Sequence, residues 1–200
     1  MKRIRDIKVK NVFQLSPNMK RITFFSEDLY DFPENEDGGY VKLLFKKESS
    51  NDSLSRPYTI RSFRKKKLEL DIDFANHSGN QGYATKWASK AKVGDEISIS
   101  GPGLKKRINV NSSWFFFVGD MTALPAIACY LERIPKSSVG IVVLEIISED
   151  DKIKLIKPKN IKIEWVVKSK ENPSVLEDSV KKIKWLQGTP YIWVACEFNK

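Results

Sequence analysis

Metal-binding and redox chemistry of the protein's own is the first thing this sequence lacks the parts for. Its 200 residues hold two cysteines, Cys129 and Cys196, and one histidine, His77. The cysteines form no CxxC pair, and the histidine has no partner at ligand spacing, which argues against a structural zinc site or an iron–sulfur cluster. A disulfide framework is not expected in a chain of this size and composition. No apolar run approaches the roughly 20 residues of a membrane helix, so no integral membrane segment is expected. The start, MKRIRDIKVKN, has no apolar stretch after its positive charges, and the chain is expected in the cytoplasm. Also absent is GxGxxG, the dinucleotide fingerprint.

What is present is a globular composition, 41% hydrophobic and 30% charged, enough apolar material for packed cores. The net charge of +10 either attracts anions (nucleic acid, acidic membranes, acidic small molecules) or reflects lysine as the default surface residue. The basic runs Arg64-Lys65-Lys66-Lys67 and Lys105-Lys106-Arg107 lack the interleaved aromatic platform of a single-strand binder. Nucleic acid is therefore not an expected partner.

The first half reads as short β runs at 4–13, 20–25, 40–45, 58–63, 68–74 and 96–100, separated by Pro, Gly, Asn, Asp and Ser clusters. A helix is expected around 84–91. This spacing predicts an antiparallel Greek-key β-barrel. From 109 onward the texture changes. Continuous apolar runs at 114–118, 140–147, 161–167 and 191–196 alternate with helical patterns at 124–134 and 174–186, the second stopped by Gly188. That alternation predicts a Rossmann-like parallel α/β domain. The expected division is therefore 1–108 and 109–200.

Two constellations carry chemistry. In Arg56-Pro57-Tyr58-Thr59-Ile60-Arg61, strand alternation puts Arg56, Tyr58 and Ile60 on one face and Pro57, Thr59 and Arg61 on the other. A flavin dinucleotide needs a cation for its pyrophosphate, a flat surface for its ring and a short hydroxyl near N5; arginine, tyrosine and threonine supply these. An edge strand with surface arginines would look the same. The second constellation is Asp73-Phe74-Ala75-Asn76-His77 followed by Gly82-Tyr83-Ala84-Thr85-Lys86-Trp87-Ala88. Here a strand ends, a loop follows and a helix begins, and a helix N-terminus is a natural anion site. Thr85 adds a hydroxyl, and His77 reads as a ribose or phosphate contact rather than a proton donor.

These segments, with FVGDMTALPAIACYLERIP, resemble the siderophore-interacting protein family of the ferredoxin-reductase-like superfamily. The likeness runs in order from LSPNMKRITF to YIWVACE. It implies an FAD enzyme that takes electrons from NADH, NADPH or a reduced ferredoxin and reduces ferric siderophores to release Fe(II). It implies that Arg56, Pro57, Tyr58, Thr59, Arg61, Asp73, Phe74, His77, Gly82, Ala84 and Thr85 form the flavin site. Gly119, Asp120, Thr122, Ala123 and Glu197 would form the nicotinamide-nucleotide site, where a plain capped helix is the alternative for the first four. Cys196 stands where the family carries glycine. Lys42 and Lys105 would face the substrate, although a solvated strand lysine is an equal reading of Lys42. No catalytic acid–base residue is implied, and a monomer is expected. Family members run some tens of residues further, so a short C-terminus is expected. The alternatives are a ferredoxin or flavin reductase with another acceptor, or a flavin-binding protein without full activity.

Overall fold

The computed structural model describes residues 3–46, 53–76, 82–105 and 107–196. The chain divides into two compact units, Met1–Lys106 and Arg107–Lys200.

The first unit contains β1 (Ile4–Ser16), β2 (Met19–Phe25), β3 (Tyr40–Lys46), β4 (Ser53–Thr59), β5 (Ser62–Arg64), β6 (Glu69–Ala75), helix α1 (Tyr83–Lys90) and β7 (Glu96–Ser100). These form one antiparallel sheet in the order β4-β3-β7-β1-β2-β6-β5. The sheet is barrel-like, but its ladder is not closed. Its two edge strands, β4 and β5, are consecutive in the chain and separated only by Ile60 and Arg61. The single strand expected at 58–63 is thus two strands joined at a corner. Ile60 donates to the Gly39 carbonyl at 2.9 Å beside β3, and Arg61 donates to the Asp71 carbonyl of β6 at 2.9 Å. The chain changes partners within one residue, so backbone continuity takes the place of a closing ladder.

Apolar residues from the strands fill the interior, among them Ile7, Val9, Ile22, Phe24, Leu43, Leu70 and Ile99, and α1 adds Ala84 and Ala88. The start of β1 runs against its apolar pattern: Ile4 faces outward, whereas Arg5 is 5% exposed. Arg5 is buried because its fork is fully used. It donates to the carbonyl of Gly101 at 3.0 Å and to the Asp31 carboxylate at 3.0 Å, which ties two loops to the strand. A bulge between Val9 and Asn11 then shifts the alternation, and Phe13 ends up exposed.

The second unit contains β8 (Trp114–Gly119), α2 (Leu124–Arg133), β9 (Gly140–Ile146), β10 (Ile161–Val167), α3 (Val175–Lys182) and β11 (Pro190–Ala195). Its sheet is parallel, in the order β10-β9-β8-β11. Every residue of β8 is buried, as its unbroken apolar sequence requires. α3 is shorter than its apolar spacing predicts. It ends at Lys182, and Ile183 is already extended. Trp185 leaves the helix to pack edge-on against Trp114 at 5.2 Å and Phe116 at 5.8 Å. Gly188 is therefore not the helix stop expected from sequence. It turns with a φ of +94° against Ser113, and its carbonyl accepts from the Trp114 indole at 3.3 Å. Among the described residues no helix is long and apolar enough to cross a membrane.

Candidate functional site

In the first unit, pairing of β3 with β4 sets the faces. Arg56 lies opposite Leu43 and Tyr58 opposite Val41, while Pro57 lies opposite Lys42 and Thr59 opposite Tyr40. Arg56 and Tyr58 thus share one face of the ladder. Arg56 is exposed, and its guanidinium donates to the adjacent Ser55 carbonyl at 3.0 Å. Tyr58 is half-buried, its ring 4.6 Å from that of Phe74. Burial pushes the phenol up to about 12, and the Thr85 hydrogen bond and the Arg56 charge only partly oppose the shift. At neutral pH Tyr58 is a neutral phenol presenting a flat ring and an O–H.

Phe74 is 2% exposed, and on its other side it meets Trp87 at 6.2 Å. Gly82 is the N-cap of α1 in an extended conformation, with no side-chain cap. A pocket of about 130 Å³ opens here, lined by Lys20, Phe74, Ala75, Asn76, Thr85 and Ser89 among others. The structure therefore brings Tyr58, Phe74, Gly82, Ala84 and Thr85 to one end of β4, β6 and α1. Two side chains that sequence reasoning missed support this end. Lys20 donates to the carbonyls of Ala88 and Ser89 at 2.9 and 3.1 Å, clamping the last turn of α1. Arg21 holds Asp73 through two bonds of 2.6 and 2.8 Å.

That second pair places Asp73 in a different setting from Tyr58. Glu69, Asp71 and Asp73 alternate along β6 with Leu70, Ile72 and Phe74, and all three acids are buried. Arg64 serves Asp71 at 2.6 Å and Glu69 at 2.8 Å, Lys10 serves Glu69 at 2.7 Å, and Arg61 approaches Asp73 at 3.9 Å. Burial works against the Asp71 carboxylate, but hydrogen bonds from Arg64 and Thr23 outweigh it and hold its pKa below the usual range. Hydrogen bonding to Asp73 raises the pKa of Arg21. Asp73 thus orders Arg21 and Arg61. Of the three acids only Asp73 lies opposite a base, Arg21, while Asp71 faces Thr23 and Glu69 faces Phe25, so the strand register and not the local sequence sets the pairing.

Lys42 is exposed on the face opposite Tyr58, beside Pro57. Lys105 donates to the Asn35 carbonyl at 2.7 Å. His77 and Glu197 lie outside the described residues.

In the second unit the strand order reverses beside β8, because β9 and β11 flank it and each is reached from α-helical connections. Open α/β sheets bind ligands at the C-terminal edge of such a reversal. Gly119 and Ala195 are register partners at that edge. A Cβ on Gly119 would meet that of Ala123 at 2.6 Å and the Ala195 carbonyl at 3.0 Å, so glycine is required by close approach. Asp120 is 2% exposed. Its carboxylate accepts from the Thr122 backbone at 2.9 Å and the Thr122 hydroxyl at 2.6 Å, and its carbonyl accepts from Leu124 at 3.1 Å. Thr122 does not cap α2, which starts at Leu124 with Ala123 as its N-cap and no side-chain cap; the turn before it is organised by Asp120. Thr122 is left exposed at the sheet's edge, its hydroxyl turned back on Asp120.

Family models match both units. The siderophore-interacting FAD-binding domain covers residues 8–55 and 46–106, and the siderophore-interacting protein model covers 112–200. The ferric vibriobactin reductase of Vibrio cholerae is 31% identical over 193 residues, which span 87% of this chain and 70% of that protein. The chain belongs to the siderophore-interacting protein family. The siderophore-interacting protein SipS of Aeromonas hydrophila superposes with a TM-score of 0.88 at 32% identity, over 99% of this chain and 81% of SipS. An NADPH-dependent ferric-chelate reductase of Escherichia coli is 26% identical over 166 residues, 74% of this chain and 64% of that protein. In this siderophore-interacting protein, Arg56, Tyr58 and Thr85 fall within the FAD-binding match, and the Gly119–Ala123 turn within the second.

Proposed function

We propose that this siderophore-interacting protein is an FAD-dependent ferric-siderophore reductase that draws electrons from NADPH or NADH and releases iron as Fe(II). The observation that carries this reading is the Tyr58 arrangement: a neutral, half-buried phenol backed by Phe74 and on the same strand face as Arg56. These residues fit a flavin dinucleotide. Arg56 supplies an exposed fork for pyrophosphate, Tyr58 a flat face for the isoalloxazine, and Thr59 a half-buried hydroxyl for the ring's polar edge. Pro57 and Arg61 frame that strand, Phe74 backs the tyrosine, and Gly82, Ala84 and Thr85 at the start of α1 receive phosphate. FAD, when bound, supplies the conversion of a two-electron donor into single electrons for iron.

The Gly119, Asp120, Thr122 and Ala123 turn would hold the nicotinamide nucleotide, with Glu197 beyond the end of β11. The named relatives support both the donor and the acceptor: one is a ferric vibriobactin reductase, another an NADPH-dependent ferric-chelate reductase. Reduced ferredoxin is the second donor in this reading, and the protein acts as a cytoplasmic monomer. Lys42 and Lys105 meet the oxygen-rich, often anionic ferric siderophore. Reduction weakens the hold of hard oxygen ligands on the iron.

One series of spectra tests the reading. The purified protein should gain a flavin spectrum with FAD, bleach anaerobically with NADPH, NADH or reduced ferredoxin, and reoxidise faster with a ferric siderophore than with ferricyanide or a quinone. A protein that stays colourless with added FAD would overturn the proposal.

A further inference from the structure

The start of α2 has no amide donor to spare. The Asp120 carboxylate takes the Thr122 N–H at 2.9 Å, and the Asp120 carbonyl takes those of Ala123 at 3.0 Å and Leu124 at 3.1 Å. Pro125 has no N–H, and Ala126 donates to the Ala123 carbonyl at 3.0 Å. A helix start receives phosphate through unpaired N–H groups. Here the N–H groups from Thr122 to Ala126 are all used within the turn. What the turn presents instead is an acceptor. A threonine hydroxyl has one proton and two lone pairs, and a carboxylate only accepts. The Thr122 proton therefore goes to Asp120, 2.6 Å away, and the oxygen keeps its lone pairs for another donor. Thr122 is exposed at the C-terminal edge of the sheet, beside the Gly119–Ala195 register pair.

We propose that the Gly119–Ala123 turn takes the uncharged end of the nicotinamide nucleotide: the Thr122 oxygen accepts a hydrogen bond from the carboxamide NH2 group, and the pyrophosphate is held elsewhere. This rests on the nucleotide reading of the turn and deepens it by naming the part of the nucleotide that the turn reads. A carboxamide NH2 only donates, so it requires an acceptor of this kind. A ribose hydroxyl donates or accepts and makes no such demand. Thr122 is thus a specificity-determining residue, and Asp120 fixes the sense of its hydrogen bond before any nucleotide arrives.

The 3-acetylpyridine analogues of NAD+ and NADP+ carry a methyl ketone in place of the carboxamide and so lack the donor. NAD+, NADP+, both analogues and ADP-ribose are titrated by calorimetry, in the presence of FAD, into the full-length protein, Thr122→Val and Thr122→Ser. The wild-type protein should bind the carboxamide form about three- to tenfold more tightly than its analogue, the equivalent of one neutral hydrogen bond. Thr122→Val should abolish that preference by weakening the carboxamide form alone, and Thr122→Ser should restore it. ADP-ribose, which has the pyrophosphate without the nicotinamide, should bind all three proteins alike. A preference that survives in Thr122→Val would overturn the proposal, and so would weaker ADP-ribose binding in that variant, the mark of a phosphate contact. A wild-type protein that binds carboxamide and analogue equally would overturn it as well, and that comparison holds even where a variant fails to fold. If the wild-type protein binds none of these nucleotides and neither NADH nor NADPH bleaches its flavin, the nucleotide reading itself falls, and the proposal with it.

Discussion

Arg56 and Tyr58 face the same way from β4 but live in different media, and this separates their roles. Arg56 is exposed, which suits a charge that must meet a phosphate without prior desolvation; Tyr58 is half-buried, which suits a packing face. Replacing Arg56 with alanine should weaken FAD binding by about 1.5–3 kcal/mol, the worth of a charge-assisted hydrogen bond. Calorimetric titration of the apoprotein checks this, and unchanged affinity would count against the flavin site. Tyr58 makes a pH prediction. Its folded pKa of about 12 stands above the ordinary 10.0, with burial as the main cause. The associated stability is fully present below pH 10 and is lost as pH rises through about 12. Burial also raises Tyr130 and Tyr191, so an absorbance titration should show several tyrosines ionising late, and that component should shrink by one tyrosine in Tyr58→Phe. That the two share one strand face was legible from the hexapeptide RPYTIR.

At the scale of elements, β6 shows what a strand with two unlike faces requires. Leu70, Ile72 and Phe74 enter the core, while Glu69, Asp71 and Asp73 lie under a cover of basic side chains from β1, β2 and β5. Asp73→Ala should destabilise the protein by about 2 kcal/mol. This is below the roughly 3–5 kcal/mol of a fully buried pair, because the Arg21 side chain keeps 26% of its exposure. Thermal or urea unfolding measures it, with Asp28→Ala, an exposed pair, as the near-neutral comparison. Element type was legible from periodicity, and so were most strand bounds. The corner at Ile60–Arg61 and the early end of α3 were not. In both places a residue leaves its local pattern for a distant partner: Arg61 for the Asp71 carbonyl, Trp185 for Trp114. Local spacing carries no record of such partners.

For the whole molecule, the net charge of +10 has a consequence that does not depend on any one lysine. A basic protein attracts an anionic ferric catecholate over distances comparable to the Debye length, about 10 Å at 0.1 M salt. Raising ionic strength from about 10 to 150 mM should lower kcat/KM for the catecholate several-fold. A neutral ferric hydroxamate should respond much less, and equal responses would remove charge from the account of substrate capture. By itself the sequence determined the β-rich first half, the parallel α/β second half, and the residue types along β4 and at the Gly119 turn, because periodicity and turn chemistry are written in neighbouring residues. Tertiary structure alone decided that Asp73 pairs with Arg21 and that Asp120 rather than Thr122 organises the start of α2. Each is a choice among several partners of the right chemistry, and only the packing of strands and helices brings one of them within hydrogen-bond reach.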